Sequence, residues 1–238
     1  MIDLRRTDRP LAIGHRGAKA LAPENTLAAF EAAAATGVDA IEFDVLRAAD
    51  GELVLGHSVD ELPADLCRFE DALAGFASRE ERLHVDVKAD DVEAEIVDGL
   101  RRHGVLERSY VSSTDAPVLH RFAALEPSLP RALTYPEDRL GISRHRGTGP
   151  LVTAGLAVAR ALLPYRIASI LRGSGATVAS LEHRVVTAAV VRHCHAAGLP
   201  VVTWTVNEPE RVRELAALGV DGIVSDDPRI FAATLSAS

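Results

Sequence analysis

Residues 40–45 read Ala-Ile-Glu-Phe-Asp-Val, alternating apolar and acidic side chains after Ala40. Side chains alternate faces along a strand with a period of two. Ile41, Phe43 and Val45 therefore share one face, suited to packing under helices. Glu42 and Asp44 share the other, which points inward if the strands close on themselves. Two stacked carboxylates in such an interior repel each other and lose hydration, so they need a cation or one must take a proton. A second run, Leu83-His84-Val85-Asp86-Val87-Lys88, repeats the pattern with Asp86 and Lys88 inward.

Around these two runs the chain alternates short β-rich runs with Ala/Leu-rich helical ones. The expected strands are Leu11–Arg16, Ala40–Arg47, Leu83–Ala89, Ser109–Ser113, Arg131–Tyr135, Thr177–Leu181, Val201–Val206 and Gly222–Ser225. Helical patterns cover Thr26–Thr36, Phe69–Ser78, Val92–His103, Pro117–Leu125, Leu151–Leu171, Ala188–Ala197 and Glu210–Leu218, with a last helix after Pro228. Gly37, Gly104, Gly198 and Gly219 stand where helices should stop. Alternation of this kind predicts an α/β fold, a single (β/α)8 TIM barrel spanning residues 1–238, with a short or absent insertion after the second strand. An open doubly wound sheet is the alternative, but no G-x-G-x-x-G turn opens a first helix. The assignment is weakest over 138–176, where an Arg/Gly-rich turn and Pro164 interrupt the pattern.

The chain has 238 residues, 47% hydrophobic and 25% charged, which excludes a disordered chain. Its net charge of −8 and lack of a long Lys/Arg run argue against nucleic acid as partner. Two cysteines, Cys67 and Cys194, build no disulfide framework and read as thiols of a cytoplasmic protein. The N-terminal residues have no signal-peptide core, and the uncharged run Gly147–Ala159 is too short to span a bilayer, so no transmembrane segment is expected.

Glu42, Asp44 and Asp86 form an all-oxygen donor set for one hard divalent cation, Mg²⁺ or Ca²⁺. The alternative is a buried ion network of these carboxylates with Lys88 and Arg16. In a barrel, catalytic groups come from the C-terminal strand ends and the loops after them. His15 and Arg16 follow the first strand in Ile-Gly-His-Arg-Gly. His57 ends a run that turns back at Ala49-Asp50-Gly51 towards Glu42 and Asp44. Two imidazoles flanking an oxygen-bound cation suit phosphodiester cleavage, one taking a proton and the other giving one. The cation, Arg16 and Lys88 would neutralise phosphoryl charge, so the expected ligand is a small phosphodiester.

The sequence resembles the glycerophosphodiester phosphodiesterases. The resemblance rests on residues 14–45 (GHRGAKALAPENTLAAFEAAAATGVDAIEFDV), 50–58 (DGELVLGHS), 83–88 (LHVDVK) and 198–228 (GLPVVTWTVNEPERVRELAALGVDGIVSDDP). It implies a barrel that hydrolyses glycerophosphodiesters to glycerol 3-phosphate and an alcohol. It implies His15 and His57 as the acid/base pair, and Glu42, Asp44 and Asp86 as cation ligands. Arg16 and Lys88 would contact phosphate, and Trp204 would line the substrate mouth. Three departures stand out. Ser58 follows His57 where the family has Asp, Asp86 replaces the usual Glu, and the segment from His57 to Phe69 is short. The alternatives are a lyase-type phospholipase releasing a cyclic phosphate, and a catalytically silent barrel that binds phosphorylated ligands.

Other motifs have plainer readings. His193-Cys194-His195 lies in a helical pattern, where positions two apart face different ways. Asn25 or Thr26 suits a helix N-cap, and Glu24 lies near the mouth. Trp204 is also explicable by burial beside Val202 and Val206. His84 is expected to pack or hydrogen-bond in the core, and His103, His120, His145 and His183 to lie on the surface.

Overall fold

The computed structural model describes residues 4–62, 66–136 and 149–235. Its strands are β1 (Leu11–Gly14), β2 (Ala40–Arg47), β3 (Leu53–Leu55), β4 (Arg82–Val87), β5 (Ser109–Ser113), β6 (Arg131–Tyr135), β7 (Val178–Glu182), β8 (Val201–Trp204) and β9 (Gly222–Ser225). Eight of them run parallel in the order β1-β9-β8-β7-β6-β5-β4-β2, and β1 also pairs with β2, which closes the barrel. The remaining strand, β3, is antiparallel to β2 and sets Leu55 opposite Val45. This hairpin is the fold-back expected after Gly51.

Helices follow the strands: α1 (Leu27–Ala35), α2 (Phe69–Phe76), α3 (Glu93–Arg102), α4 (Ala116–Leu125), α5 (Gly149–Ser174), α6 (Ala188–Ala196), α7 (Pro209–Leu218) and α8 (Ile230–Thr234). The four glycines expected to end helices lie just past α1, α3, α6 and α7. The long helical pattern is longer than expected, with Pro164 inside α5, and its second half buries Leu163, Ile167 and Leu171. The Arg/Gly-rich turn and His145 lie outside the described residues. Among those described, no helix is long and apolar enough to cross a membrane.

The period-two reading of β2 holds. Ile41, Phe43 and Val45 are fully buried under the helices, where Phe30, Phe43 and Phe76 pack with ring centroids 5.0–5.7 Å apart. A second helix-facing cluster lies across the barrel around Leu163, Ile167, Leu181, Val190 and Leu215. The inward faces form a third, made of Leu4, Leu11, Ile13, Ala40, Tyr110, Ala132, Val178, Val202 and Val224, with Trp204 against it. Most of these come from the first half of their strands. Nearer the C-terminal ends the inward positions turn polar: Asp44, Asp86, Ser112, Thr134 and Ser180 line a cleft. One end of the barrel is thus a plug and the other a site.

Three strands end two residues earlier than expected. Both β1 and β4 stop early, leaving His15, Arg16 and Lys88 in the loops beyond. The strand β8 stops at Trp204, so Val206 leaves the alternation and packs in the helix-facing cluster instead of sharing the face of Trp204.

Candidate active site

Parallel register aligns the inward side chains in rows. Glu42 pairs with His84, which pairs with Tyr110, while Asp44 pairs with Asp86, which pairs with Ser112. The rows open into a cleft of about 910 Å³ at the C-terminal end of the barrel. His15, Arg16, Glu42, Asp44, His57, Asp86, Lys88 and Trp204 all line it. Every residue singled out for chemistry from the sequence therefore meets at one place.

The three carboxylates converge. One ligand oxygen from each of Glu42, Asp44 and Asp86 lies within 4.8 Å of the others. Glu42 and Asp44 are 3% and 1% exposed. Burial, and then the charges of Asp44 and Asp86, push the Glu42 carboxyl well above the ordinary range. Burial would raise Asp44 as well, but His57, Lys88 and Arg16 outweigh it and hold Asp44 ionised. Such oxygen-only donors, crowded enough that one resists ionisation, fit a hard divalent cation.

The ion network weighed as the alternative is present too. Arg16 Nε lies 2.9 Å from Asp44 Oδ2, and Lys88 Nζ lies 3.2 Å from Asp44 Oδ1 and contacts Asp86 Oδ2. Burial works against the Lys88 charge, yet Asp86 and Asp44 more than restore it. With Glu42 resisting ionisation, Arg16 and Lys88 face two charged carboxylates; a divalent cation placed among the three oxygens would favour ionised Glu42 as well, so the network and a cation site are compatible.

The loop after β1 is held in an unusual shape. Arg16 adopts a left-handed backbone (φ 48°) with its N–H donating to Glu42 Oε2 at 2.7 Å. Gly17 follows with φ 83°, and a Cβ there would sit 2.6 Å from the Ala29 carbonyl carbon. A Cβ on Gly14 would lie 2.3 Å from the Gly17 oxygen. Both positions therefore require glycine. The N-cap of α1 is Thr26, whose Oγ1 accepts from Ala29 N at 3.2 Å. Asn25 does something else. Its side chain donates to Asp44 Oδ2 at 3.2 Å and accepts from Asp44 N at 3.0 Å, clamping that carboxylate. Glu24 sits near the mouth, paired with Arg16 at 2.7 Å.

The two histidines are held differently. His15 Nδ1 lies 2.5 Å from Asp226 Oδ1, and its Nε2 lies 3.9 Å from Glu42 Oε2. Asp226 in turn accepts from Asn207 Nδ2 at 2.7 Å, and Asn207 Oδ1 accepts from Asp226 N at 3.0 Å. Burial would raise the Asp226 carboxyl, but the hydrogen bond from His15 leads the effects that lower it to about 2. An ionised carboxylate only accepts, so in the neutral His15 ring the proton sits on Nδ1 and the lone pair on Nε2. His57 Nδ1 lies 3.4 Å from Asp44 Oδ1. Asp226 and Asn207, which hold His15, were not among the residues expected from the sequence. Their only signal is membership of the C-terminal segment used for the family resemblance.

Trp204 lines the cleft, and its indole N–H is buried with no partner among the described residues. His84 is 4% exposed and bonded to Ser112, as expected of a core histidine. His193 bonds Ala189 O while His195 bonds Asp221 Oδ2, so the pair does not converge. His183 is a correction. It is half-buried, with its ring beside Arg211 Nε (3.3 Å) and Glu182 (3.7 Å), because the loop after β7 tucks under α7. Burial lowers its pKa.

The glycerophosphoryl diester phosphodiesterase family matches residues 15–71 and 75–230. A glycerophosphodiester phosphodiesterase of Caldanaerobacter subterraneus is 24% identical over 257 residues, covering 92% of this chain and 95% of that protein. Another from Bacillus altitudinis is 26% identical over 242 residues, covering 90% and 93%. Among solved structures, an Oleispira antarctica phosphodiesterase in complex with the product sn-glycerol-3-phosphate superposes with a TM-score of 0.77 at 20% identity, covering 96% and 98%. A glycerophosphodiester phosphodiesterase from Parabacteroides distasonis gives 0.74 at 22% identity, covering 97% and 99%.

Proposed function

Because the chain belongs to the glycerophosphoryl diester phosphodiesterase family, we propose that its cleft hydrolyses a small glycerophosphodiester to glycerol 3-phosphate and an alcohol. The observation that carries this reading is the meeting of Glu42, Asp44 and Asp86 between His15 and His57. The product bound to the Oleispira phosphodiesterase supports the choice of substrate class. Glu42, Asp44 and Asp86 would hold the cation, Mg²⁺ or Ca²⁺. Bound there, it would supply Lewis-acid neutralisation of phosphoryl charge.

The chain's own groups do the rest. Asp226 keeps the His15 proton on Nδ1, so Nε2 takes a proton from the attacking water as its oxygen bonds to phosphorus and the bond to the alcohol oxygen breaks. His57, with Nδ1 turned to Asp44, presents Nε2 to the leaving alkoxide and gives it a proton. Arg16 and Lys88, now shared among the carboxylates, would also counter charge on the phosphoryl oxygens. Trp204 would form an apolar wall of the mouth. The free Cys67 and the buried Cys194 support a cytoplasmic setting.

The test is release of glycerol 3-phosphate from a panel of glycerophosphodiesters with Mg²⁺, Ca²⁺ or Mn²⁺, with phosphorus NMR of the products. Turnover that a chelator abolishes and that His15→Ala and His57→Ala each lose is expected. A persistent cyclic phosphate would defeat hydrolysis, and full rates in both variants would defeat the acid/base assignment.

A further inference from the structure

Asp86, like Asp44, reaches one methylene less far than Glu42, and it stands on a strand where family resemblance leads one to expect Glu. Its surroundings are specific. Ser112 is its register partner on β5, and the Ser112 hydroxyl donates to Asp86 Oδ1 at 2.7 Å. That hydroxyl has one proton, which is committed to Asp86, so its oxygen is left to accept. His84, two residues before Asp86 on the same inward face, lies with Nε2 2.7 Å from Ser112 Oγ. The other ring nitrogen, Nδ1, is buried and has no partner among the described residues. The ring proton therefore belongs on Nε2, where it donates to Ser112. Tyr110 stacks on the imidazole with centroids 4.2 Å apart and planes at 18°, fixing the ring.

The chain of donation runs His84 to Ser112 to Asp86, anchored at its far end by an aromatic stack. Lys88 holds the opposite oxygen, Oδ2. The carboxylate plane is thus set at both oxygens, each keeping lone-pair capacity for a further contact.

We propose that Ser112 and His84 are positioning residues that orient Asp86 for a divalent cation and offset its shorter side chain. The inference rests on the cation site assigned to Glu42, Asp44 and Asp86 under the proposed function. Groups that orient metal ligands from behind govern affinity, and losing one typically weakens binding by about 10–100-fold. Ser112→Ala deletes the link at Asp86. His84→Phe keeps the stack on Tyr110 and deletes only the donor.

Calorimetric titration of the full chain with Mg²⁺ and with Mn²⁺ tests this, beside melting temperatures without and with each ion. Ser112→Ala is expected to weaken binding by at least about tenfold. His84→Phe should weaken it by a smaller factor, and Ser112→Thr, which keeps the hydroxyl, should bind within a few-fold of wild type. Metal-free melting of these variants should stay close to wild type, which separates positioning from support of the fold. Folded Ser112→Ala and His84→Phe chains that bind both ions as tightly as wild type would overturn the inference while leaving the cation site intact. If Ser112→Ala does not fold, His84→Phe and Ser112→Thr decide alone. A wild-type chain that binds neither ion overturns the site and this inference together.

Discussion

Asp226→Asn changes one atom and exposes how His15 is held. Asn207 is locked with its Oδ1 accepting from Asp226 N and Ser225 Oγ, so its amide nitrogen must face Asp226 Oδ2. A new amide at position 226 has only two orientations. With its oxygen towards His15, its NH₂ meets the Asn207 NH₂, donor against donor. With its NH₂ towards His15, it donates to Nδ1 and drives the ring proton to Nε2, removing the free lone pair. A positioned proton-transfer group contributes on the order of 10²–10⁴-fold, so kcat should fall by up to that factor with KM changed only a few-fold. Stability should change as well. The Asp226 carboxyl lies at about 2, against 3.8 for a free one, which corresponds to about 2 kcal/mol of pairing. A lowered folded-state pKa stabilises above the unfolded value and loses that contribution as pH falls through the folded value. Asp226→Asn should therefore be less stable than wild type at pH 7 by up to about 2 kcal/mol, and the gap should close between about pH 4 and pH 2. Steady-state release of glycerol 3-phosphate gives kcat, and urea unfolding across pH gives the stability difference. The double variant with His15→Ala should be no slower than His15→Ala alone. A single Asp226→Asn chain with kcat within about threefold of wild type, set against the range expected of a proton-transfer group, would refute the reasoning.

Three further outcomes are expected. Glu42→Gln relieves crowding among buried carboxylates, so melting without divalent ions should match or exceed wild type while the rise on adding Mg²⁺ disappears; a preserved rise would count against Glu42 as a ligand. Gly17→Ala places a Cβ 2.6 Å from the Ala29 backbone at φ 83° and should cost about 2 kcal/mol or more in urea unfolding, so an unchanged midpoint would contradict the tight-loop argument. Trp204→Ala should raise KM by roughly tenfold, equivalent to about 1.4 kcal/mol of binding, with kcat within a few-fold; an unaltered KM would remove the indole from the substrate wall.

Much of the cleft was legible because its signals are local. The alternation in residues 40–45 separates Phe43 from Glu42 and Asp44 without reference to any other strand. The Asp50-Gly51 turn brings His57 back because a hairpin is a matter of a few residues. The Asn25 clamp was not legible. An Asn before a helix reads as a cap, and only the left-handed bend at Asn25 (φ 58°) turns its amide onto Asp44 instead. His183 was misread for a related reason. Its partner Arg211 lies 28 positions away and reaches it only because α7 packs beside the loop after β7.

The sequence by itself determined which residues face inward and what kind of donors they are, since side-chain period and chemistry are properties of a short stretch. It also determined where the strands and most helices run. Which inward groups touch was decided by the tertiary structure. His15 meets Asp226, 211 positions away, because β1 and β9 pair when the barrel closes. Asp86 meets Ser112 because β4 and β5 pair in one register and not another. Register and closure are set by the packing of every strand and helix at once, so no single segment carries them.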